Sequence, residues 1–600
     1  MRSLSAINKY FWRYKSLLFW GVVTVIASNM FTIYPAQVIR ISMNMVSDLV
    51  KMYGLMSGFQ ANTQFSALIT QALAVFGGIM VGLALIRGVF LFFTRQTIIY
   101  MSRLIEYDMR NDIYEHFQNL SLAFYRRNRT GDLMSRIVED VNRVRMYLGP
   151  GLMYTINTFT LFILVVITML NINVKLTIFA LLPLPVLSVM IYVVQSMIQK
   201  RSKGVQEQLA TLNTFTQEMY SGIRVVKAYT KEAQTERKFA QETETYKIRS
   251  MYAAKIDAIF YPLVMFLMGL SSVFTVWIGA EEVIAGNITI GNIAEFMIYT
   301  SLLAWPIIAL GWVTTLTQQA AASQARINEF LKEEPAVRFR EGLQNPLKSD
   351  TKVEMKEVAF VYPDTGIRAL ENISFRLEAG QKLGIIGPAG CGKTTLCQLI
   401  MRMYDADSGE ILIDGNDIKL LNKAQLRSKM GYAPQDVFLF SDSISENIAF
   451  GTHNPVQEQV ENAAKVAAVH DNIVGFTEGY QTEIGERGVN LSGGQKQRIS
   501  IARAWMRKPE LLILDDVLSA VDTQTEESIL GELRRFRSEN KQSSVIQIAH
   551  RLSCIQDADH ILVIENGRIS EEGSHEVLLE KGGYYSRIYQ KQLAETEVVK

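Results

Sequence analysis

Gly387-Pro388-Ala389-Gly390-Cys391-Gly392-Lys393-Thr394-Thr395 decides how this chain is read. The residues ahead of it, Leu383-Gly384-Ile385-Ile386, form a short apolar run of the kind found in a buried strand. Those after it, through Ile400, continue as a helix, so the glycines fall on the turn between the two. Glycine lets backbone N–H groups turn inward, and the positive end of the following helix favours phosphate oxygens. Gly387, Gly390 and Gly392 are therefore the candidate phosphate cradle. Lys393 adds a point charge, and the hydroxyl of Thr394, paired with Thr395, is a candidate Mg²⁺ ligand. A glycine turn without a ligand would need neither the lysine nor the threonines.

Outward from this loop the chain changes character. Its 600 residues exceed an ordinary single domain. Long apolar segments fill residues 1 to about 330, and short apolar runs alternate with charged and glycine-rich turns from about 350 onward. A net charge of +2 without a basic stripe gives no footprint for nucleic acid. Cys391, Cys397 and Cys554 all lie in the polar half without disulfide-like spacing, which places that half in a reducing cytosol. The opening residues are basic and amphipathic and lack a cleavage pattern. The stretch Leu4 to Trp12 is expected to lie on the inner membrane surface, with Trp12 and Tyr14 at headgroup level.

Six segments are apolar and long enough to cross a hydrocarbon layer that needs about twenty helical residues. They lie near Leu17–Gln37, Leu68–Phe93, Leu152–Leu170, Leu176–Ile198, Phe260–Ile278 and Ile293–Val313. Long polar segments separate the second from the third and the fourth from the fifth. These carry many cations, among them Arg103, Arg110, Arg126, Arg127, Lys200, Arg201 and Lys227, so they and both termini are expected in the cytoplasm. Helical periodicity predicts that they extend the spans into the cytosol, with bends near Leu120–Gly131 and Gln206–Ser221. The aromatic and aliphatic residues Phe124, Tyr125, Tyr220 and Ile223 make docking surfaces of them rather than solvated linkers. Within the spans, Arg87 is costly facing lipid and is expected to touch substrate, pair with an acid or snorkel. Asn29, Asn157, Thr160, Gln195, Tyr299 and Trp305 are candidates either for lining a cavity or for packing helices together. Pro306 is a candidate kink in the sixth span.

Beyond a charged linker the remaining motifs follow in order: Tyr362 ahead of the phosphate loop; Gln435 in Tyr432-Ala433-Pro434-Gln435; Leu491-Ser492-Gly493-Gly494-Gln495 before an arginine-rich helix; Leu511-Leu512-Ile513-Leu514-Asp515 as a buried strand ending in a carboxylate; then Ser519-Ala520-Val521-Asp522 and His550. Over nearly the whole chain this resembles an ATP-binding cassette (ABC) exporter half-transporter of the multidrug or lipid type, and the LSGGQ stretch is its most specific mark. The resemblance implies a multidomain fold. An all-α polytopic membrane domain with six transmembrane helices (1–330) is followed by a linker (331–352), an α/β P-loop ABC ATPase domain (353–590) and a C-terminal tail (591–600). It also implies a multi-pass protein of the cytoplasmic (inner) membrane, in contact with membrane lipids, that moves an amphipathic small molecule, lipid or peptide. A peptide-processing exporter is disfavoured, and the apolar spans argue against a soluble cassette ATPase acting on DNA or ribosomes.

The same resemblance implies the roles. Tyr362 stacks on adenine. The loop residues from Gly387 to Thr395 hold ATP, and Asp515, Thr394 and Gln435 attend Mg²⁺. Gln435 and His550 fix the attacking water. Ser492, Gly493, Gly494 and Gln495, with Asp522, close over ATP bound to a second half-transporter subunit. The loop Thr482–Gly488 and the stretches Phe124–Asp140 and Glu218–Glu232 transmit motion. One departure stands out: Asp516 occupies the place where the family pattern has a glutamate as base. A carboxylate displaced by about 1 Å can cost on the order of a hundredfold in rate, so slow hydrolysis is expected here. That combination resembles the weaker-site subunit of heterodimeric bacterial exporters. A homodimer with two slow sites, or a regulatory ATP-binding subunit that moves no cargo, are the alternatives.

Overall fold

The computed structural model describes residues 2–55, 59–339, 353–452, 454–485, 488, 490–539 and 542–599. Most of the expected linker, and Glu486 and Arg487 of the loop Thr482–Gly488, lie outside them. The chain forms two compact units. One comprises Met1–Phe117 and Gly131–Lys332; the other comprises Gln118–Thr130 and Glu333–Lys600.

The first unit is built of six long helices, each apolar enough to cross a membrane: α1 Lys15–Met52, α2 Ile69–Asn119, α3 Thr130–Ile172, α4 Val174–Ser221, α5 Glu232–Ile284 and α6 Ile290–Leu331. At 1.5 Å per residue α2 is about 75 Å long, more than twice a hydrocarbon layer of about 30 Å. Its polar half therefore extends well beyond the membrane, as the periodicity predicts. The interior of this unit is formed by side chains such as Val165, Met169, Leu176, Leu187, Phe296 and Leu303, while Leu85, Phe92, Tyr192, Phe266 and Trp277 remain exposed. An apolar exterior of this kind is suited to hydrocarbon as solvent. Local signals set the helix starts. The Asn173 side chain accepts from the Leu176 N–H at 2.8 Å and caps α4. Thr289 and Asn292 form a reciprocal capping box at α6.

Two of the candidate cavity residues are packing residues. The Asn29 amide donates to the Asn157 carbonyl at 3.2 Å, and Asn29 is buried. Tyr299 is fully buried, and its hydroxyl donates to the buried Glu295 at 2.8 Å. Arg40 stands 3.5 Å from the same carboxylate. Arg87 is exposed on this unit, and among the described residues it forms no ion pair. Pro306 lies inside α6 and is buried. Three π-helical turns interrupt the long helices, at Arg95–Ile99 in α2 and at Arg136–Asp140 and Tyr147–Gly151 in α3.

In the second unit an antiparallel sheet has the order β2 (Arg368–Leu377), β1 (Val353–Val361), β4 (Ser408–Ile413), β5 (Asn416–Asp417). A six-stranded sheet has the order β10 (Arg568–Gly573), β9 (His560–Glu565), β3 (Lys382–Ile386), β8 (Ser544–Ile548), β7 (Leu511–Asp515), β6 (Met430–Ala433). Its strands are parallel from β9 through β6, and β10 pairs antiparallel at the edge. β3, β7 and β8 are buried along their whole length, which explains their unbroken apolar runs. Parallel β3, β7 and β8 end on the same side, so the loops after them converge, the usual place for a ligand in an open α/β sheet.

Candidate nucleotide site

Helix α7 (Lys393–Ile400) starts directly after the glycine-rich loop that leaves β3. Two glycines there have no substitute. A Cβ on Gly387 would stand 2.0 Å from the Ile564 carbonyl oxygen, and one on Gly392 would stand 2.4 Å from that of Ala369. Gly392 also has φ +102, a conformation L-residues avoid. The lysine is held inward: the Lys393 ammonium donates to the carbonyls of Gly387 at 2.9 Å and Pro388 at 2.8 Å and is buried. The loop thus presents backbone and a buried cation at a helix N-terminus, a donor set that fits phosphate.

The end of β7 supplies the opposite charge. Thr394 Oγ1 donates to Asp515 Oδ1 at 3.0 Å, and the Tyr432 hydroxyl donates to Oδ2 at 3.3 Å. Burial pushes the Asp515 carboxyl up to about 6, against the lowering effect of those two hydrogen bonds; Asp516 raises it further. A carboxylate that is costly to ionise alone is stabilised by a divalent cation, so Thr394 and Asp515 form a pair that fits Mg²⁺. Asp516 follows in a left-handed conformation, φ +51, which costs a non-glycine residue about 1–2 kcal/mol. Its N–H donates to the Ile548 carbonyl at 3.1 Å, and its carbonyl accepts from the Ser519 hydroxyl at 2.9 Å. The turn aims the Asp516 carboxylate at Gln435, whose Nε2 donates to Oδ2 at 3.3 Å, and at His550, whose Nε2 lies 3.8 Å from the same oxygen. Three residues distant in sequence therefore meet at one carboxylate.

Tyr362 is half-buried, with its hydroxyl 2.8 Å from Thr395 Oγ1 on α7. The Arg126 guanidinium, from the short helix Leu122–Arg127 of the same unit, lies over the Tyr362 ring at 4.3 Å and 3.7 Å from the Asp364 carboxylate. Nothing in the sequence pattern around Arg126 signals this contact, and Tyr432 as a donor to Asp515 was equally hidden. Ala123 of that short helix is buried in the core of the unit.

The remaining predicted residues sit at helix starts. Ser492 and Gln495 cap α8 (Gly493–Met506) reciprocally: Ser492 Oγ accepts from the Gln495 N–H at 3.3 Å, and Gln495 Oε1 accepts from the Ser492 N–H at 2.9 Å. Gly493 begins that helix, and a Cβ on Gly494 would stand 3.0 Å from the Ala520 carbonyl oxygen. Asp522 accepts from the Thr525 N–H at 2.9 Å, which holds its carboxyl below the usual range and caps α9 (Thr523–Glu539).

Comparison with known proteins agrees with both halves. Residues 17–307 match the ABC transporter transmembrane region, and residues 370–519 match the ABC transporter family. The chain is 39% identical over 489 residues to the multidrug resistance-like ATP-binding protein MdlA of Escherichia coli (strain K12), covering 81% of this chain and 82% of that one. It is 36% identical over 518 residues to an ATP-dependent lipid A-core flippase of Syntrophus aciditrophicus (strain SB), covering 86% and 85%. A solved bacterial Atm1-family ABC exporter with ATP bound superposes with a TM-score of 0.76 at 27% identity, over 96% of this chain and 99% of that one. With a six-helix membrane unit, a phosphate loop and an α/β sheet in one polypeptide, the chain belongs to the ABC transporter family, as a multi-pass membrane protein carrying its own ATPase domain.

Proposed function

We propose that the chain is one subunit of an ATP-driven exporter of amphipathic molecules, and that its own site hydrolyses ATP slowly. The observation that carries the slow site is Asp516. Its carboxylate lies between Gln435 and His550, the position of a base that polarises water, on a side chain one methylene shorter than glutamate. In this reading Gly387, Gly390, Gly392, Lys393, Thr394 and Thr395 bind the phosphates, and Thr394, Gln435 and Asp515 hold Mg²⁺. When bound, that ion would offset the charge of the phosphate oxygens. Tyr362 takes the base. Ser492, Gly493, Gly494, Gln495 and Asp522 face nucleotide on a second subunit, so two ATPase domains close over two ATP molecules. The stretches Phe124–Asp140 and Glu218–Glu232, with the loop Thr482–Gly488, pass that closure to the membrane helices, with the termini in the cytoplasm. Binding energy for ATP then favours the outward-open state, and hydrolysis resets it.

Support for a heterodimer comes from pairing the aspartate with a complete signature stretch, which lets this chain finish a competent site on a different subunit. Native mass spectrometry of the complex, captured through a tag on this chain, tests the assembly. One copy with a different subunit of similar size is expected, and two identical copies with normal turnover would overturn both the heterodimer and the slow site.

A further inference from the structure

The cytoplasmic ends of the apolar stretches of α2 and α3 line an open cavity of about 620 Å³. Arg95, Gln96, Tyr100 and Arg103 reach it from α2, Tyr154 from α3 and Trp312 from α6. Two of the three π-helical turns, Arg95–Ile99 and Tyr147–Gly151, meet at its wall. The helices are close there: a Cβ on Gly149 would stand 2.6 Å from Ser102 Oγ. A π turn inserts a residue and re-aims its neighbours, and such turns recur at functional positions.

The charge around this cavity does not balance. The buried Glu106 carboxylate serves three guanidiniums: Arg103 at 2.9 Å, Arg110 at 2.7 Å and Arg145 at 3.5 Å. Among the described residues Arg95 forms no ion pair. Of the other carboxylates on α2 and α3, Asp108 is held by Arg13, Asp112 by Lys9, Asp132 by Arg136, Glu139 by Arg143 and Asp140 by Arg326. Cation excess at the inner edge of a hydrocarbon layer calls for an anion, and a planar guanidinium suits phosphate, sulfonate or carboxylate oxygens. Further along α3 and α6 lies a second cavity of about 430 Å³, walled by Phe159 and Phe162 of α3, Leu184 of α4, and Pro306 and Leu310 of α6. From Trp312 to Pro306 is six residues of helix, about 9 Å of axial rise, a span within the length of one amphiphile.

We infer that Arg95 and Arg103 form a headgroup subsite for an anionic amphiphile, and that this transporter discriminates against amphiphilic cations. The inference rests on the export reading above and names its substrate class. Two guanidiniums at the inner interface hold the head, Tyr100 and Gln96 offer further donors, and the apolar cavity takes the tail.

The test uses the full complex in phosphatidylcholine nanodiscs with two fluorescent probes of one shape, 1-pyrenebutyrate and 1-pyrenebutyltrimethylammonium. Arg95→Gln with Arg103→Gln is expected to weaken pyrenebutyrate binding about tenfold or more, and to leave the cationic probe unchanged or tighter. Arg95→Lys with Arg103→Lys retains most of the affinity. Equal effects on both probes, no effect, or loss in the lysine variant without loss of folding by thermal melt would overturn the subsite. Failure of the export reading looks different: both probes bind with the expected charge preference, yet neither changes ATP turnover nor crosses a proteoliposome membrane. Adding phosphatidylglycerol identifies the source of the head. Competition assigns the subsite to a bilayer lipid and no competition to a free amphiphile, and either result upholds the anionic class.

Discussion

Two regions of this protein hold charge that its own residues leave unbalanced, and they do so with opposite sign. Beside the phosphate loop, Asp515 and Asp516 are adjacent and buried, while Lys393 is turned toward loop carbonyls. In the polar half of α2, the carboxylate of Glu106 is shared by Arg103 and Arg110 of the same helix and Arg145 of α3. Burying unmatched charge destabilises a fold, so the adjacent buried aspartates are informative about what they bind. The acidic region fits a divalent cation with phosphates, and the basic region fits an anion. The difference also lies in how each is fixed. The acids sit on a sheet end and a strained turn, whereas the arginines sit on helices with long, half-exposed side chains.

The comparison breaks most readily at the phosphate loop. Lys393→Ala is expected to lower steady-state ATP hydrolysis by a hundredfold or more, since a buried donor aimed at developing phosphate charge is typically worth about 10²–10³. Unchanged turnover and nucleotide occupancy would sink the phosphate assignment.

Asp515→Asn sharpens it by separating stability from activity. With its carboxyl raised to about 6 in the fold against about 4 in the unfolded chain, the native state keeps a proton that the unfolded state releases between those pH values. That group therefore contributes no penalty below about pH 4, and a growing one up to about 3 kcal/mol above pH 6. Asparagine removes the penalty while deleting the metal ligand. Without nucleotide, the variant is expected to melt higher than the parent at pH 7.5, by a margin that shrinks toward pH 4.5, with hydrolysis abolished. A lower melting temperature at pH 7.5 would show that the hydrogen bonds from Thr394 and Tyr432 outweigh desolvation.

Asp516→Glu addresses reach alone. An increase in turnover on the order of tenfold is expected if the shorter side chain limits the rate. No gain in a folded complex would place the limit elsewhere. Arg126→Ala has the smallest expected effect. Its guanidinium covers one face of the Tyr362 ring, and an exposed contact of this kind is worth about 0.5–1 kcal/mol. Freeing that face should tighten nucleotide affinity by about 2- to 5-fold in a fluorescent-nucleotide titration. Weaker binding would mean that adenine uses the opposite face with Arg126 as its backing.

Much of this was legible from residues in order. The glycine turn, β7 with its terminal aspartate, the signature helix and six apolar spans are local patterns, in which chemistry and geometry are set within a few residues of one another. Where pattern fell short, distant residues had to be brought together. Asn29 and Tyr299, read as open between cavity and packing, turned out to be bonded into the helix interior. Arg126 over Tyr362, Tyr432 on Asp515 and the three arginines on Glu106 could not be paired from sequence, because spacing along a helix or strand says which face a residue shares but not which neighbour faces it.

By itself, then, the sequence determined the six-span membrane half and the ATPase half, because each rests on residue types within short segments. Only the tertiary structure decided that Asp516 meets both Gln435 and His550, that burial raises the Asp515 carboxyl to about 6, and that two π-helical turns meet at the wall of a cavity lined by Arg95 and Arg103. Those outcomes depend on desolvation and on distances between segments, which exist only once the chain has packed.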